Sequence, residues 1–409
     1  MSAIEPGVEK NQSRGALSDV RVLDLSRVLA GPFCSQVLAD HGADVIKVEP
    51  PAGDESRDWG PPFKEDGTSA YFTGVNRNKR GIALDLAQPE ARAVVLRLLE
   101  DTDVLIENFR IGTMEKWGLG YEDALRCRFP RLIYCRITGF GADGPLGGFP
   151  GYDNMLQAWS GLMSVTGSTE SGPLRVGVSV VDLTVAMNAV AGILLALHHR
   201  HSSGRGQFVE IALYDSGIML LHPHAPNWFM SGKNPQLTGN GNPNISPSGL
   251  VKTRGKSMLV GAGNERQFRI LCEQIGRPDL CSDARFRTNA DRLANRAELM
   301  HALEDALANV DGEEMAIRLM RAGVPAGAIL SISEVLTHPH TYHRQMVAEL
   351  GDYRETGIPI KLSDSPGSVR SVPPRFGEHS HAVLRDAGLS DDEISRLIAA
   401  ECVPEKRKK

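Results

Sequence analysis

The chain has 409 residues, enough for two or three domains, and its 41% hydrophobic and 23% charged content is that of an ordinary globular protein. A formal net charge of −5 argues against nucleic acid or an anionic membrane surface as the main partner. The six cysteines form no CxxC pair and no histidine falls in a metal-ligand spacing, so neither a disulfide framework nor a metal site is expected.

The polar N-terminus "MSAIEPGVEKNQSRGALSD" lacks an apolar core, so no secretory leader is expected, and reduced thiols in a cytoplasmic protein follow. "RVLDLS", "DVIKVE", "DVLIENF" and "LIYCRIT" are short β-rich runs ending in polar residues. Between the first two lies "LAGPFCSQVLADHG", a predicted helix with Gly31 and Pro32 at its start and Gly42 past its end. "QPEARAVVLRLLED" is amphipathic, with Val94, Val95, Leu98 and Leu99 opposed to Arg92, Arg97, Glu100 and Asp101. Alternation of this kind predicts an α/β, Rossmann-like domain with a parallel sheet, whose ligands bind outside the carboxyl ends of the strands. The basic residues Arg57, Arg77, Lys79, Arg80 and Lys116 fall on that side and read first as solvated surface, although a ligand with several phosphates would want such an edge.

"GFGADG" (Gly139, Gly141, Gly144) matches a dinucleotide fingerprint after a strand, but "PLGGFPGY" follows and no helix can open there. A glycine loop beside an active site is the better reading. Next comes "VGVSVVDLTVAMNAVAGILLAL", in which Asp182 stands alone between two apolar runs. Asp182 reads either as the N-cap of a helix starting at Leu183 or as a carboxylate nucleophile held ionised by the helix dipole. The local pattern leaves both open. The apolar run Leu183 to Leu197 falls short of the roughly 20 residues a bilayer needs, so a buried helix and no membrane are expected.

Pro, Gly and Asn then dominate, which reads as a linker over 223–250 between a large domain (1–222) and a smaller α+β domain (251–340). That domain opens on "SMLVGAGN", continues through three helical patterns, and leaves by strands in "GVPAGAILSISEVL" and "GIPIKLSDSP". Residues 341–409 read as a return linker and a C-terminal segment packing on the large domain. They end in "LSDDEISRLIAA", an amphipathic helix with Ser390 and Asp391 or Asp392 placed for a cap, and a basic tail "EKRKK" expected to be solvated.

Over nearly its whole length the sequence resembles the class III (CaiB/BaiF-type) CoA-transferases. The resemblance rests on the order and spacing of "VLDLSRVLAGPF", "GADVIKVEPPAGDESR", "YFTGVNRNKRGIALDL", "TDVLIENFRIGTMEKWGLGYE", "ITGFGADGP", "GYDNMLQAWSGLMSVTG", "HSSGRGQFVEIALYDS" and "FGEHSHAVLRDAGLS". It implies that Asp182, after "PLRVGVSVV", is the nucleophile, and that transfer proceeds through an aspartyl mixed anhydride and an aspartyl-CoA thioester. It implies coenzyme A as the acyl-CoA substrate, no permanently bound cofactor, and ring-shaped subunits interlocked as a homodimer. By position it places CoA against Leu29, Ala30, Ala70, Tyr71, Phe72, Thr73, Asn108, Phe109, Arg110, Lys116, Thr138 and Gly139. The formyl-CoA:oxalate branch has a glutamine at Leu29, an arginine at Pro50 and a tetraglycine loop where this chain reads "GNGNPNISPSG". "VGAGNERQF" is closer to members using succinyl-CoA and longer dicarboxylates, whose second carboxylate would need a cation, Arg77 or Arg175. The alternative is a 2-methylacyl-CoA racemase, which pairs its aspartate with the histidine of a "GHD" motif. Here the motif is "GYD", and a phenol is a poor base at neutral pH. A non-catalytic CoA-binding protein of the same fold is the remaining alternative.

Overall fold

The computed structural model describes residues 15–408. Most of the N-terminal segment read for a leader, and Lys409, lie outside them. The chain divides into two compact units, one of Met1–Ser160, Val178–Met219 and His343–Lys409, the other of Gly161–Gly177 and Leu220–Tyr342.

The first unit is built on six parallel strands: β1 (Arg21–Asp24), β2 (Asp44–Glu49), β3 (Lys79–Ala83), β4 (Val104–Glu107), β5 (Ile133–Thr138) and β6 (Phe208–Ala212). Their order is β3-β2-β1-β4-β5-β6. Leu23, Leu105, Ile106, Ile133 and Tyr134 are buried because helices cover both faces of a parallel sheet, which is why the strands read as continuous apolar runs. The order reverses between β1 and β4, which opens a crevice at their carboxyl ends.

Helix α1 (Ala30–Asp40) follows β1 and ends before Gly42, whose φ of +111° a side chain would strain. Helix α2 (Pro89–Leu98) opens on its proline and buries Ala91, Val94, Val95 and Leu98. Helix α3 (Asp153–Trp159) comes after the glycine-rich loop, and α4 (Val180–Ser203) runs back along the sheet. With 24 residues α4 is longer than the sequence predicts; it is long and apolar enough to cross a membrane by length and composition alone, a test that a core helix also meets. It packs on α1, β5 and β6, burying Val181, Val185, Ala186, Ala189, Val190, Ile193 and Ala196. Ser390 caps the helix Asp391–Ala399 in a reciprocal pair with Glu393, as the sequence predicts.

The second unit has its own core (Phe268, Leu271, Leu299, Leu303, Leu307, Leu319) behind a three-stranded antiparallel sheet of Ser248–Val251, Met258–Gly261 and Ala326–Ala328. Several expectations change here. The 223–250 stretch is not all linker, since His224–Ser231 is helical and Ser248–Val251 pairs in the sheet. Gly161–Gly177 belongs to this unit although it lies inside the predicted large domain. Only Ala326–Ala328 of the first exit run is a strand, because Ser331 and Glu334 cap a helix over Ile332–Thr337. "GIPIKLSDSP", interrupted by Pro359 and Pro366, forms no strand, and the hairpin lies earlier, at Val347–Leu350 and Tyr353–Thr356. The basic tail is pinned rather than free: Arg407 pairs with Asp58 at 2.5 Å and the Lys408 amide donates to the Pro51 carbonyl at 2.9 Å.

Candidate active site

The crevice predicted by the strand order holds a cavity of about 350 Å³ in the first unit. Its walls are the segment after β1 (Arg27–Ala30), the segment after β4 (Asn108–Ile111), the glycine loop after β5, Tyr152, Asp182 and Leu213. A second cavity of similar size shares Arg27, Phe109 and Arg110 and continues over Leu25, Val48, Pro50, Leu84, Leu86 and Trp117. A row of space thus runs along the carboxyl edge of the sheet, apolar at one end and glycine-rich at the other.

The wall segments are held by polar groups at the strand ends. The Glu107 carboxylate accepts the Phe109 N–H at 2.8 Å, and Thr138 Oγ1 accepts the Gly141 N–H at 2.9 Å. Gly139 lies so close to Gly151 that a Cβ would meet its nitrogen at 2.8 Å, which folds the "GFGADG" segment into a closed loop. No helix opens until Asp153, so the loop is a cavity wall and not a dinucleotide turn.

Asp182 is the third residue of α4, inside the first turn and not its cap. The cap is supplied from elsewhere: Asp153 Oδ2 accepts the N–H of Val181 at 2.8 Å and of Asp182 at 3.2 Å. Asp153 Oδ1 in turn accepts from Gln157 Nε2 at 2.6 Å. Asp182 is only 8% exposed, and burial, then the Asp153 charge, push its carboxyl up to about 7. The helix terminus does not hold Asp182 strongly ionised, as the sequence reading expects, because its free N–H groups are already taken by Asp153. Sequence reasoning passed over Asp153, although it stands in the quoted "GYD". Tyr71 senses the same site: burial and the Asp182 charge push its phenol up.

A family model described as CoA-transferase family III matches residues 17–380. The chain belongs to CoA-transferase family III. It is 41% identical over 381 residues to the succinate–glutarate CoA-transferase of Agrobacterium fabrum, covering 90% of this chain and 95% of that one. It is 38% identical over 395 residues to the succinyl-CoA–D-citramalate CoA-transferase of Chloroflexus aurantiacus, covering 95% and 98%. A solved CaiB/BaiF family protein from Brucella suis superposes with a TM-score of 0.83 at 38% identity, covering 91% of this chain and all of that one. The protein is a CoA-transferase.

Of the CoA contacts that the resemblance implies, the cavity of this family III CoA-transferase gathers Leu29, Ala30, Asn108, Phe109, Arg110, Thr138 and Gly139 around Asp182. Others lie elsewhere. The Phe72 ring is fully buried under the Arg57 guanidinium, 3.6 Å from its centroid, and Thr73 is turned inward with its carbonyl accepting from Tyr353. Lys116 is exposed and lines neither cavity. The basic set is corrected too, because these cations serve as internal partners: Arg57 to Glu49 at 2.7 Å, Arg77 to Asp40 at 2.7 Å, Lys79 to Asp24 at 3.2 Å, Arg80 to Asp44 and Asp386 at 2.7 Å. Arg77, also bonded to the Thr356 carbonyl, is 3% exposed and lines neither cavity, so it cannot hold a substrate carboxylate. Arg175 belongs to the second unit and is exposed. The cations that do line the cavities are Arg27 and Arg110, and sequence reasoning missed Arg27. Its Nε has no partner among the described residues, and its guanidinium sits 5.5 Å from the Phe109 ring centroid.

Proposed function

We propose that the protein moves CoA from succinyl-CoA to a second dicarboxylic acid through covalent intermediates on Asp182. The observation that carries this reading is a buried carboxylate in the wall of one of two adjoining cavities along the carboxyl edge of the sheet. An Asp182 oxygen attacks the thioester carbonyl and the C–S bond breaks, giving a mixed anhydride and CoA thiolate. The thiolate attacks the Asp182 carbonyl carbon and the donor carboxylate leaves, giving an aspartyl-CoA thioester. The acceptor carboxylate then attacks that carbonyl, thiolate leaves, and its return to the acceptor carbonyl releases the new acyl-CoA and free Asp182. No proton or water is consumed, so a water-poor site serves every step.

The name of the Chloroflexus relative supports succinyl-CoA as donor, and both names support a dicarboxylate as acceptor. Arg27 and Arg110 are suited to the CoA phosphates, and the apolar cavity around Trp117 to the adenine. Tyr152, in the wall where the racemases carry histidine, favours transfer over racemisation. The reading includes a cytoplasmic homodimer, interlocked as in the family.

The test is a screen of succinyl-CoA and acetyl-CoA against mono- and dicarboxylates, read by mass spectrometry, with Asp182→Ala and Asp182→Asn alongside. Wild type forms dicarboxylyl-CoA from succinyl-CoA, and both variants lose transfer by at least about 10³-fold while still binding CoA. Transfer at the wild-type rate by Asp182→Ala overturns the mechanism. Deuterium entering the α-carbon of 2-methylacyl-CoA from solvent, without an acceptor acid, overturns the choice of reaction.

A further inference from the structure

Val28 has φ +72°, in the left-handed region. Among the described residues Asn78, Gln345 and Glu401 are the other non-glycine residues with positive φ, and Val28 alone is β-branched, the side-chain class for which this conformation is most strained. Such strain persists only where surrounding groups over-determine it. Here three consecutive N–H groups are each received by a different side chain. Ser26 N–H donates to Asp24 Oδ1 at 2.9 Å, Arg27 N–H to Asn108 Oδ1 at 2.9 Å, and Val28 N–H to both Asp54 oxygens at 3.2 and 3.3 Å. The Asn108 amide also donates back to the Arg27 carbonyl at 2.8 Å, so it clamps the backbone from both sides.

Asp54 is itself fixed. It is fully buried, with Lys47 Nζ at 2.9 Å from Oδ2 and with the Ser56 N–H and hydroxyl donating to Oδ1 at 3.0 and 2.7 Å. Lys47 Nζ also donates to the Ser26 carbonyl at 2.9 Å. The chain then turns into α1 so tightly that a Cβ at Gly31 would meet Ser26 Oγ at 2.2 Å. Leu29 and Ala30, the residues after the strained one, form the cavity wall beside Asp182.

We propose that Asp54 is a positioning residue for CoA transfer: it holds Val28 in its left-handed conformation and thereby fixes the Leu29–Ala30 backbone against the reacting groups. If Val28 relaxed to an ordinary β or right-handed conformation, the chain would leave it in another direction and the wall would move. The proposal rests on the reading that transfer takes place in the Asp182 cavity.

The experiment is a double-mutant cycle of Asp54→Asn and Val28→Gly, with kcat and KM measured for succinyl-CoA and a dicarboxylate. Asp54→Asn keeps the shape but removes the charge held by Lys47, and it is expected to lower kcat by up to about 10²-fold, with KM changing much less. Glycine adopts φ +72° without strain, so the same substitution is expected to cost at least about fivefold less in the Val28→Gly background. A general loss of structural integrity would not be relieved by removing a side chain at position 28. Should Asp54→Asn fail to fold because Lys47 is left buried and unpaired, Lys47→Met/Asp54→Asn removes both charges and takes its place in the cycle. Unchanged kcat in the folded variant, or a loss equal in both backgrounds, overturns the proposal. Neither result bears on Asp182, whose role falls only if Asp182→Ala retains transfer.

Discussion

Burial and the Asp153 charge draw Asp182 towards its neutral form, whereas attack on a thioester needs the anion. With the carboxyl raised to about 7, the ionised fraction falls as pH drops through 7, and transfer falls with it. The kcat/KM profile for succinyl-CoA is therefore expected to show an acid limb near 7, and Asp153→Asn, which removes the repelling charge but keeps an acceptor for the α4 N–H groups, to move that limb to lower pH. An unmoved limb would mean that Asp153 acts only as a cap. Stability carries the opposite sign. A carboxyl raised in the folded state destabilises the fold above its unfolded value of 3.8, increasingly so up to about 7. Asp182→Asn is expected to raise the thermal midpoint at pH 8, with the gain vanishing towards pH 4, measured by calorimetry across that range. At this scale the sequence made Asp182 legible by its isolation and by the flanking motif. Its environment was not legible, because Asp153 lies 29 positions away and meets it only once α3 and α4 are assembled.

The strands and their flanking helices were legible because a parallel sheet covered on both faces forces continuous apolar runs, and because proline, glycine and Ser390 mark helix ends as local chemistry requires. The charges at the strand ends were not. Arg57, Arg77 and Lys79 look in sequence like solvated surface or phosphate ligands, but each neutralises a carboxylate brought from another element. A buried pair is costly to break: Arg57→Met leaves Glu49 buried and also strips the cation from the Phe72 ring, and is expected to cost about 3–5 kcal/mol in urea unfolding. A cost below about 1 kcal/mol would return Arg57 to the list of ligand candidates. Asn108 gives the converse lesson. It lines the cavity as expected of a CoA contact, yet both ends of its amide are spent on the Arg27 backbone.

At the scale of the molecule, the change to Pro, Gly and Asn after residue 222 falls close to Leu220, where the second unit resumes, and His343–Lys409 belongs to the first unit. What escaped was the excursion of Gly161–Gly177 into the second unit, which carries Arg175 with it and has no composition signal of its own. One exposed apolar surface on α4 is a candidate for the proposed homodimer. Met187, Ala191, Leu194 and Leu195 lie along one exposed stripe of α4, with Leu195 71% exposed. Sedimentation is expected to give twice the chain mass, and Leu195→Glu to weaken association if this stripe is covered by the second copy; a dimer of undiminished stability in that variant would place the contact elsewhere.

The central claim, that Asp182 becomes covalently acylated, is tested most directly by trapping. Wild-type protein is incubated with succinyl-CoA and hydroxylamine, digested, and the peptide spanning 180–200 read by mass spectrometry. The account predicts a hydroxamate on Asp182, absent when CoA thioester is omitted. Full transfer activity with an unmodified Asp182, or a hydroxamate on another carboxylate, would contradict it.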